Sequence, residues 1–171
     1  MLYRMLSKLL DYPDADLLDA LPETRARLAR NPDLDPAERR VVADFIDHLE
    51  ALDPTEAQAA YVLTFDLTPE HALHLTHHLF GDDKNRGPAL IDLTEFYKEY
   101  GLELAANELP DFLPLVLEFA DQLDPEEARM FLAQWTKVLK VLAGNLEKAD
   151  SPYAALVRLV ENRAQLVKAA A

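Results

Sequence analysis

D-F-L-P-L-V-L-E-F-A-D-Q-L, residues 111–123, is apolar on nearly every side if coiled as a helix. Phe112, Leu113, Leu115, Val116, Leu117, Phe119, Ala120 and Leu123 surround the axis, while Asp111, Glu118 and Gln122 leave only a narrow polar stripe. Such a helix needs partners on most of its circumference, so the pattern predicts a central position in a helical bundle. Pro114 suits a first turn, where no intrahelical N–H bond is lost, and puts the start near Pro110 or Asp111.

The flanking sequence supplies those partners. Asp35-Pro36, Asp53-Pro54, Thr68-Pro69, Asp124-Pro125 and Ser151-Pro152 each set a capping side chain before a proline, the arrangement favoured at helix starts. Three of them continue into capping boxes, Asp35 with Glu38, Asp53 with Glu56 and Asp124 with Glu127. Helical stripes follow. Leu2, Met5, Leu6, Leu9 and Leu10 make the first, and Leu17, Leu18, Leu21 and Leu28 the second, which Pro22 kinks or splits. Val41, Val42, Phe45, Ile46, Leu49 and Leu52 form a third, and Ala57, Tyr61, Val62 and Phe65 a fourth. A fifth helix is predicted from near Pro69, and a sixth from Pro88, with Leu90, Leu93, Tyr97 and Tyr100 facing the core before Gly101 stops it. After the central segment, one long helix is expected from Pro125 to about Lys148, with Phe131, Leu132, Trp135, Val138, Leu139, Leu142 and Leu146 on one face. Tyr153, Leu156, Val157, Val160, Ala164 and Val167 complete the set, and the K-A-A-A tail is expected to fray. Alternating runs of strand length and Asn-Gly turns are missing. The expectation is an all-α protein, a single domain over 1–171 with about eight or nine helices.

Composition narrows the function. Half of the 171 residues are hydrophobic, too many for a disordered chain. No run approaches the ~20 apolar residues of a membrane span, and the N-terminal M-L-Y-R-M-L-S-K-L-L reads as a first helix rather than a signal peptide. A formal net charge of −14 repels nucleic acid and anionic lipid and favours a basic partner. Cysteine is absent, which excludes disulfides, thiolate metal sites and cysteine nucleophiles. Ser7 and Ser151 are the only serines, neither in a plausible setting for a nucleophile. Glycine-rich phosphate loops, H-E-x-x-H and paired Glu-x-x-His motifs are absent too.

The stretch H-A-L-H-L-T-H-H-L-F-G-D-D-K-N-R-G, residues 71–87, holds four of the five histidines. In a helix, His71, His74 and His78 fall at i, i+3 and i+7 on one stripe, which Asp82 would extend. That set has the chemistry to hold zinc, so a metal-dependent enzyme or sensor is the competing expectation. The bland alternative is a helix C-terminus whose histidines favour the negative end of the dipole.

Six patches in order carry a family likeness: L-L-D-Y-P-D at 9–14, Y-V-L-T-F-D at 61–66, L-H-L-T-H-H-L-F-G-D at 73–82, N-R-G-P-A-L-I-D-L at 85–93, Y-K-E-Y-G-L at 97–102 and E-L-P-D-F-L-P-L-V-L-E-F at 108–119. The chain resembles the nitrate reductase molybdenum cofactor assembly chaperones, the NarJ or delta-subunit family, most densely over 61–119. The resemblance implies a cytoplasmic, all-helical chaperone with no catalytic residues, metal or cofactor of its own. Its implied partner is the N-terminal leader of the nitrate reductase alpha subunit, which it holds competent for cofactor insertion before membrane attachment.

A basic leader helix with one apolar face complements an acidic bundle. The candidate peptide-binding residues are Tyr61, Phe65, His74, His78, Asp82, Asp83, Arg86, Glu108, Asp111 and Glu118. Tyr61 and Phe65 are read as aromatic anchors or core residues, and His74 and His78 as hydrogen-bonding groups or interior histidines. Asp82, Asp83, Glu108 and Glu118 are read as partners for basic groups or as caps and solvated carboxylates. Arg86 braces that acidic rim or sits in a surface ion pair, and Asp111 orders the entry to the central helix.

Overall fold

The computed structural model describes residues 1–165, in which eleven α-helices and no strands are found. Val167 and the K-A-A-A tail lie outside the described residues. The helices are α1 (Leu2–Leu9), α2 (Ala15–Asp19), α3 (Leu21–Arg30), α4 (Pro36–Glu50), α5 (Pro54–Tyr61), α6 (Leu75–Phe80), α7 (Arg86–Glu99), α8 (Leu113–Ala120), α9 (Pro125–Ala133), α10 (Thr136–Lys148) and α11 (Ala154–Gln165). A π-helical turn, Val62–Asp66, extends α5, and a 3₁₀ turn, Pro69–His71, precedes α6.

The Asp-Pro signals start helices as expected. Asp35 and Asp53 each accept the backbone N–H of the glutamate three residues on, at 2.8 and 2.9 Å, and Glu38 and Glu56 reach back to the cap N–H. Asp124 accepts from both Glu126 and Glu127 N–H at 2.9 Å, satisfying two of the orphan donors at the start of α9. Gly101, at φ +77°, ends α7 in a Schellman turn. Its N–H reaches Lys98 O, and Leu102 N–H reaches Tyr97 O.

Two expected helices are divided. The second breaks at Ala20 into α2 and α3, with Pro22 in the first turn of α3. The long helix from Pro125 breaks at Trp135, where Gln134 and Trp135 donate to carbonyls three residues back instead of four. The break turns the chain so that α9 packs on α8 and α11 while α10 runs along α11. No apolar stripe encodes such a break, because Trp135 remains buried on the same side as Phe131 and Leu139.

α8 is central. Leu113, Pro114, Val116, Leu117, Phe119 and Ala120 are buried, and α1 packs along it. Each large apolar side chain so buried contributes roughly 1.5–3 kcal/mol. α8 begins at Leu113, later than the sequence suggests, because the residues ahead of it are extended and bonded elsewhere. Leu75 N–H donates to Asp111 O and Leu113 N–H to Leu73 O, an antiparallel bridge that pairs His74 with Phe112. α7 is shallower than expected. Tyr97 is its one buried residue, and Tyr100 is exposed, its ring edge-on to Phe119. The buried side chains join into one hydrophobic cluster running from α1 to α11.

Candidate functional site

The expected fifth helix, with its histidine stripe, does not form. Thr68-Pro69 opens only the 3₁₀ turn, so His71 ends that turn, His74 is extended ahead of α6, and His78 lies within α6. Each ring has a separate neighbourhood. His71 is buried with Nδ1 3.0 Å from Thr64 O and Nε2 3.3 Å from Asn145 O. His78 Nε2 donates to Ala72 O at 2.7 Å, and His74 stacks on Phe112 with ring centroids 5.2 Å apart. Among the described residues no group of three His, Cys, Asp or Glu is gathered as a metal site. The metal stripe is therefore corrected: Pro69 and the bridge to Phe112 take the backbone out of the one helix it required.

The bridge instead creates a buried polar junction. Asp111 is fully buried, and its Oδ2 accepts the N–H and the hydroxyl of Thr76 at 2.9 and 2.6 Å. Thr76 sits in the first turn of α6, where N–H groups lack intrahelical acceptors and a carboxylate meets the positive end of the dipole. The same hydroxyl accepts from Arg86 Nε at 3.0 Å, and the Arg86 guanidinium lies 3.8 Å from Asp111 Oδ2. One carboxylate thus ties together the starts of α6, α7 and α8. Tyr97 secures the adjacent backbone by donating its hydroxyl to Pro110 O at 2.7 Å. Asp111 Oδ1 has no hydrogen-bond partner, a costly state for a buried oxygen.

Tyr61 and Phe65 lie in the core, 5% and 6% exposed, and present no surface to a ligand. They pack against Tyr153, and Tyr61 donates its hydroxyl to Leu10 O. His74 and His78 are half-buried, and burial lowers the pKa of each; for His74, Asp111 opposes that shift and Arg86 reinforces it. Arg86 is half-buried, braced by Thr76 and Asp111 rather than by Asp82 or Asp83. Asp82, Asp83 and Glu108 are exposed, with Asp83 accepting the Asn85 N–H to shape the loop. Glu118 stands apart, pairing with Arg4 across the α1–α8 contact at 3.1 Å. His74, His78, Arg86 and Asp111 are therefore assembled in one place, whereas Glu118, Tyr61 and Phe65 serve other contacts.

Sequence reasoning missed Thr76, whose partner is 35 residues away, and Asp66, whose charge bears on His74 from the end of the π turn. It also missed Leu63 and Leu67, exposed on that turn. Two grooves lie elsewhere. One of about 580 Å³ runs between α1 and the α2–α3 segment, and one of about 760 Å³ between α4 and α11. None of the ten candidate residues lines either groove.

Fold and junction together define an all-α helical protein whose polar centre organises three helix starts and whose surface is acidic. The chain belongs to the nitrate reductase delta subunit family, whose model matches residues 31–158. It is 36% identical over 156 residues to the nitrate reductase molybdenum cofactor assembly chaperone NarJ of Escherichia coli (strain K12), covering 91% of this chain and 66% of that one. It is 32% identical over 158 residues to the probable nitrate reductase molybdenum cofactor assembly chaperone NarJ of Bacillus subtilis (strain 168), covering 92% and 85%. A third relative, the nitrate reductase-like protein NarX of Mycobacterium tuberculosis, is 34% identical over 154 residues, 90% of this chain and 23% of its own. The Escherichia coli and Bacillus relatives are named as assembly chaperones, not as enzymes, and this chain spans about two thirds of the former's length.

Proposed function

We propose that the protein is a nitrate reductase assembly chaperone. It binds the N-terminal leader of the reductase alpha subunit and keeps the apoenzyme open to molybdenum cofactor insertion until membrane attachment. The observation that supports this is family membership, with relatives named as nitrate reductase molybdenum cofactor assembly chaperones matching almost the whole of this chain. The action is cytoplasmic, and no helix among the described residues is long and apolar enough to cross a membrane.

The geometry supports a peptide-holding role. The junction of Thr76, Arg86 and Asp111 fixes the 81–86 loop and the 108–112 segment to the ends of α6, α7 and α8, so the exposed Asp82, Asp83 and Glu108 stand on a braced base. Carboxylates there attract a basic leader and speed its encounter, and apolar contacts supply most of the affinity. An affinity in the micromolar to nanomolar range, about −8 to −12 kcal/mol, suits a client that must later leave. His74, His78 and Arg86 border this surface, and Asp111 holds it in shape.

Co-expression with the alpha subunit of the same organism tests the proposal. A tagged copy of this chain is expected to retain the full alpha subunit and to lose a version lacking its N-terminal leader. Retention of both versions equally would place recognition elsewhere on the client, and retention of neither would remove the proposed role.

A further inference from the structure

We propose that Leu63 and Leu67, on the outer side of the π turn, are the apolar seat for the client's leader helix; this rests on the chaperone reading above. In the segment Y-V-L-T-F-D-L, Tyr61 and Phe65 point inward, whereas Leu63 and Leu67 are 61% and 66% exposed. Both pairs are spaced by four. The turn closes through Leu67 N–H to Val62 O, a five-residue step. Residues four apart share a face of a helical turn, so Tyr61 and Phe65 lie in the core while Leu63 and Leu67 are exposed on the other side. Single exposed leucines are common, but a paired set on a π-helical turn is unusual, and such turns recur at functional sites.

The seat is held firmly. Thr64 donates its hydroxyl to Ala60 O at 2.7 Å, and Thr68 donates to Leu63 O at 3.0 Å. His71 Nδ1 lies against Thr64 O, and the buried Tyr61 and Phe65 rings meet Tyr153 edge to face beneath the turn. A pre-formed apolar step of this kind loses little freedom when a ligand settles on it.

Charge selects the occupant. Asp66, between the two leucines in sequence, and Glu70, three residues beyond Leu67, are both exposed, and the Asp66 charge bears on His74. A second copy of this chain would bring −14 against −14. An amphipathic helix with a leucine-like face and basic flanks meets both the step and its rim, the helix-on-surface mode of peptide recognition.

The test uses the full chain and a fluorescent synthetic peptide copying the alpha-subunit N-terminus, read by anisotropy. Wild type binds it. Leu63→Ser with Leu67→Ser weakens binding about tenfold or more, and Leu63→Ala alone weakens it less. Val141→Ser, at an exposed residue of α10, leaves binding unchanged. Circular dichroism and urea midpoints of the leucine variants stay at wild-type values, since both side chains are exposed. A peptide with its Arg and Lys changed to Gln binds wild type more weakly, and equal binding would overturn the choice of a basic helix. If wild type binds and the double variant binds within about threefold, the seat is overturned and the chaperone role stands. If wild type does not bind the peptide, leader recognition itself fails and the seat with it. Sedimentation showing a wild-type dimer that the double variant abolishes would assign the leucines to self-association and overturn the proposal.

Discussion

Thr76 gives Asp111 two hydrogen bonds, from its backbone N–H at 2.9 Å and its hydroxyl at 2.6 Å, across 35 residues of chain. The hydroxyl also receives Arg86 Nε, so the threonine relays between a buried carboxylate and a guanidinium. A buried charge stripped of such partners is expensive. Thr76→Val should therefore destabilise the protein by about 1–3 kcal/mol in urea unfolding, while Thr76→Ser, which keeps the hydroxyl, costs clearly less. A loss in Thr76→Ser larger than that in Thr76→Val would show that the methyl group, not the hydroxyl, matters.

Arg39 is expected to matter for a different reason. Its guanidinium donates to four backbone carbonyls, those of Leu28, Ala29, Asn31 and Leu34, and so closes the C-terminal end of α3. Arg39→Ala should cost roughly 2 kcal/mol, and Arg39→Lys should recover only part, because an ammonium lacks the planar fork. Chemical denaturation at constant salt measures both.

Capping boxes act locally. Asp53→Ala removes the acceptor for Glu56 N–H at the start of α5, with an expected loss of about 1 kcal/mol. Asp16→Ala, which removes no hydrogen bond to a helix N-terminus, serves as the control and should be nearly neutral. Thermal melts of the two variants beside wild type decide this.

Burial lowers the pKa of His74 and His78 below the ordinary histidine value of 6.5. The unfolded chain then takes up protons first as pH falls, so these groups leave stability intact above about pH 6.5 and remove it progressively through the window below, down to their folded pKa values. Urea midpoints should drop between pH 7.5 and 5.5 in wild type. The drop should be smaller when both are changed to glutamine. An unchanged drop would assign the effect to other groups.

What was legible in the sequence is what is local. Asp35, Asp53 and Asp124 announce helix starts because the capping partner lies within three residues, and the apolar faces of α1, α4, α8, α10 and α11 follow from helical spacing. The break at Trp135 was hidden because the buried face continues across it. The histidine stripe misled for a related reason: spacing of i, i+3 and i+7 has meaning only inside one helix, and the bridge between His74 and Phe112, set by distant chain, prevents that helix. Of the two readings of Tyr61 and Phe65, anchor or core, their place on the fourth apolar stripe supports the core, where they lie, whereas nothing in the spacing marks the exposed Leu63 and Leu67. The Thr76–Asp111–Arg86 junction depends on segments brought together only by folding, and no periodicity reports it.

The most direct measurement is isothermal titration of the purified protein with the alpha-subunit leader peptide and with a scrambled peptide of the same composition, each at low and high salt. The expected result is saturable heat with the leader alone, at micromolar or tighter affinity, weakening as salt screens the acidic surface. Heat that is absent, or the same for leader and scramble, would contradict a protein that works by holding its client's N-terminus.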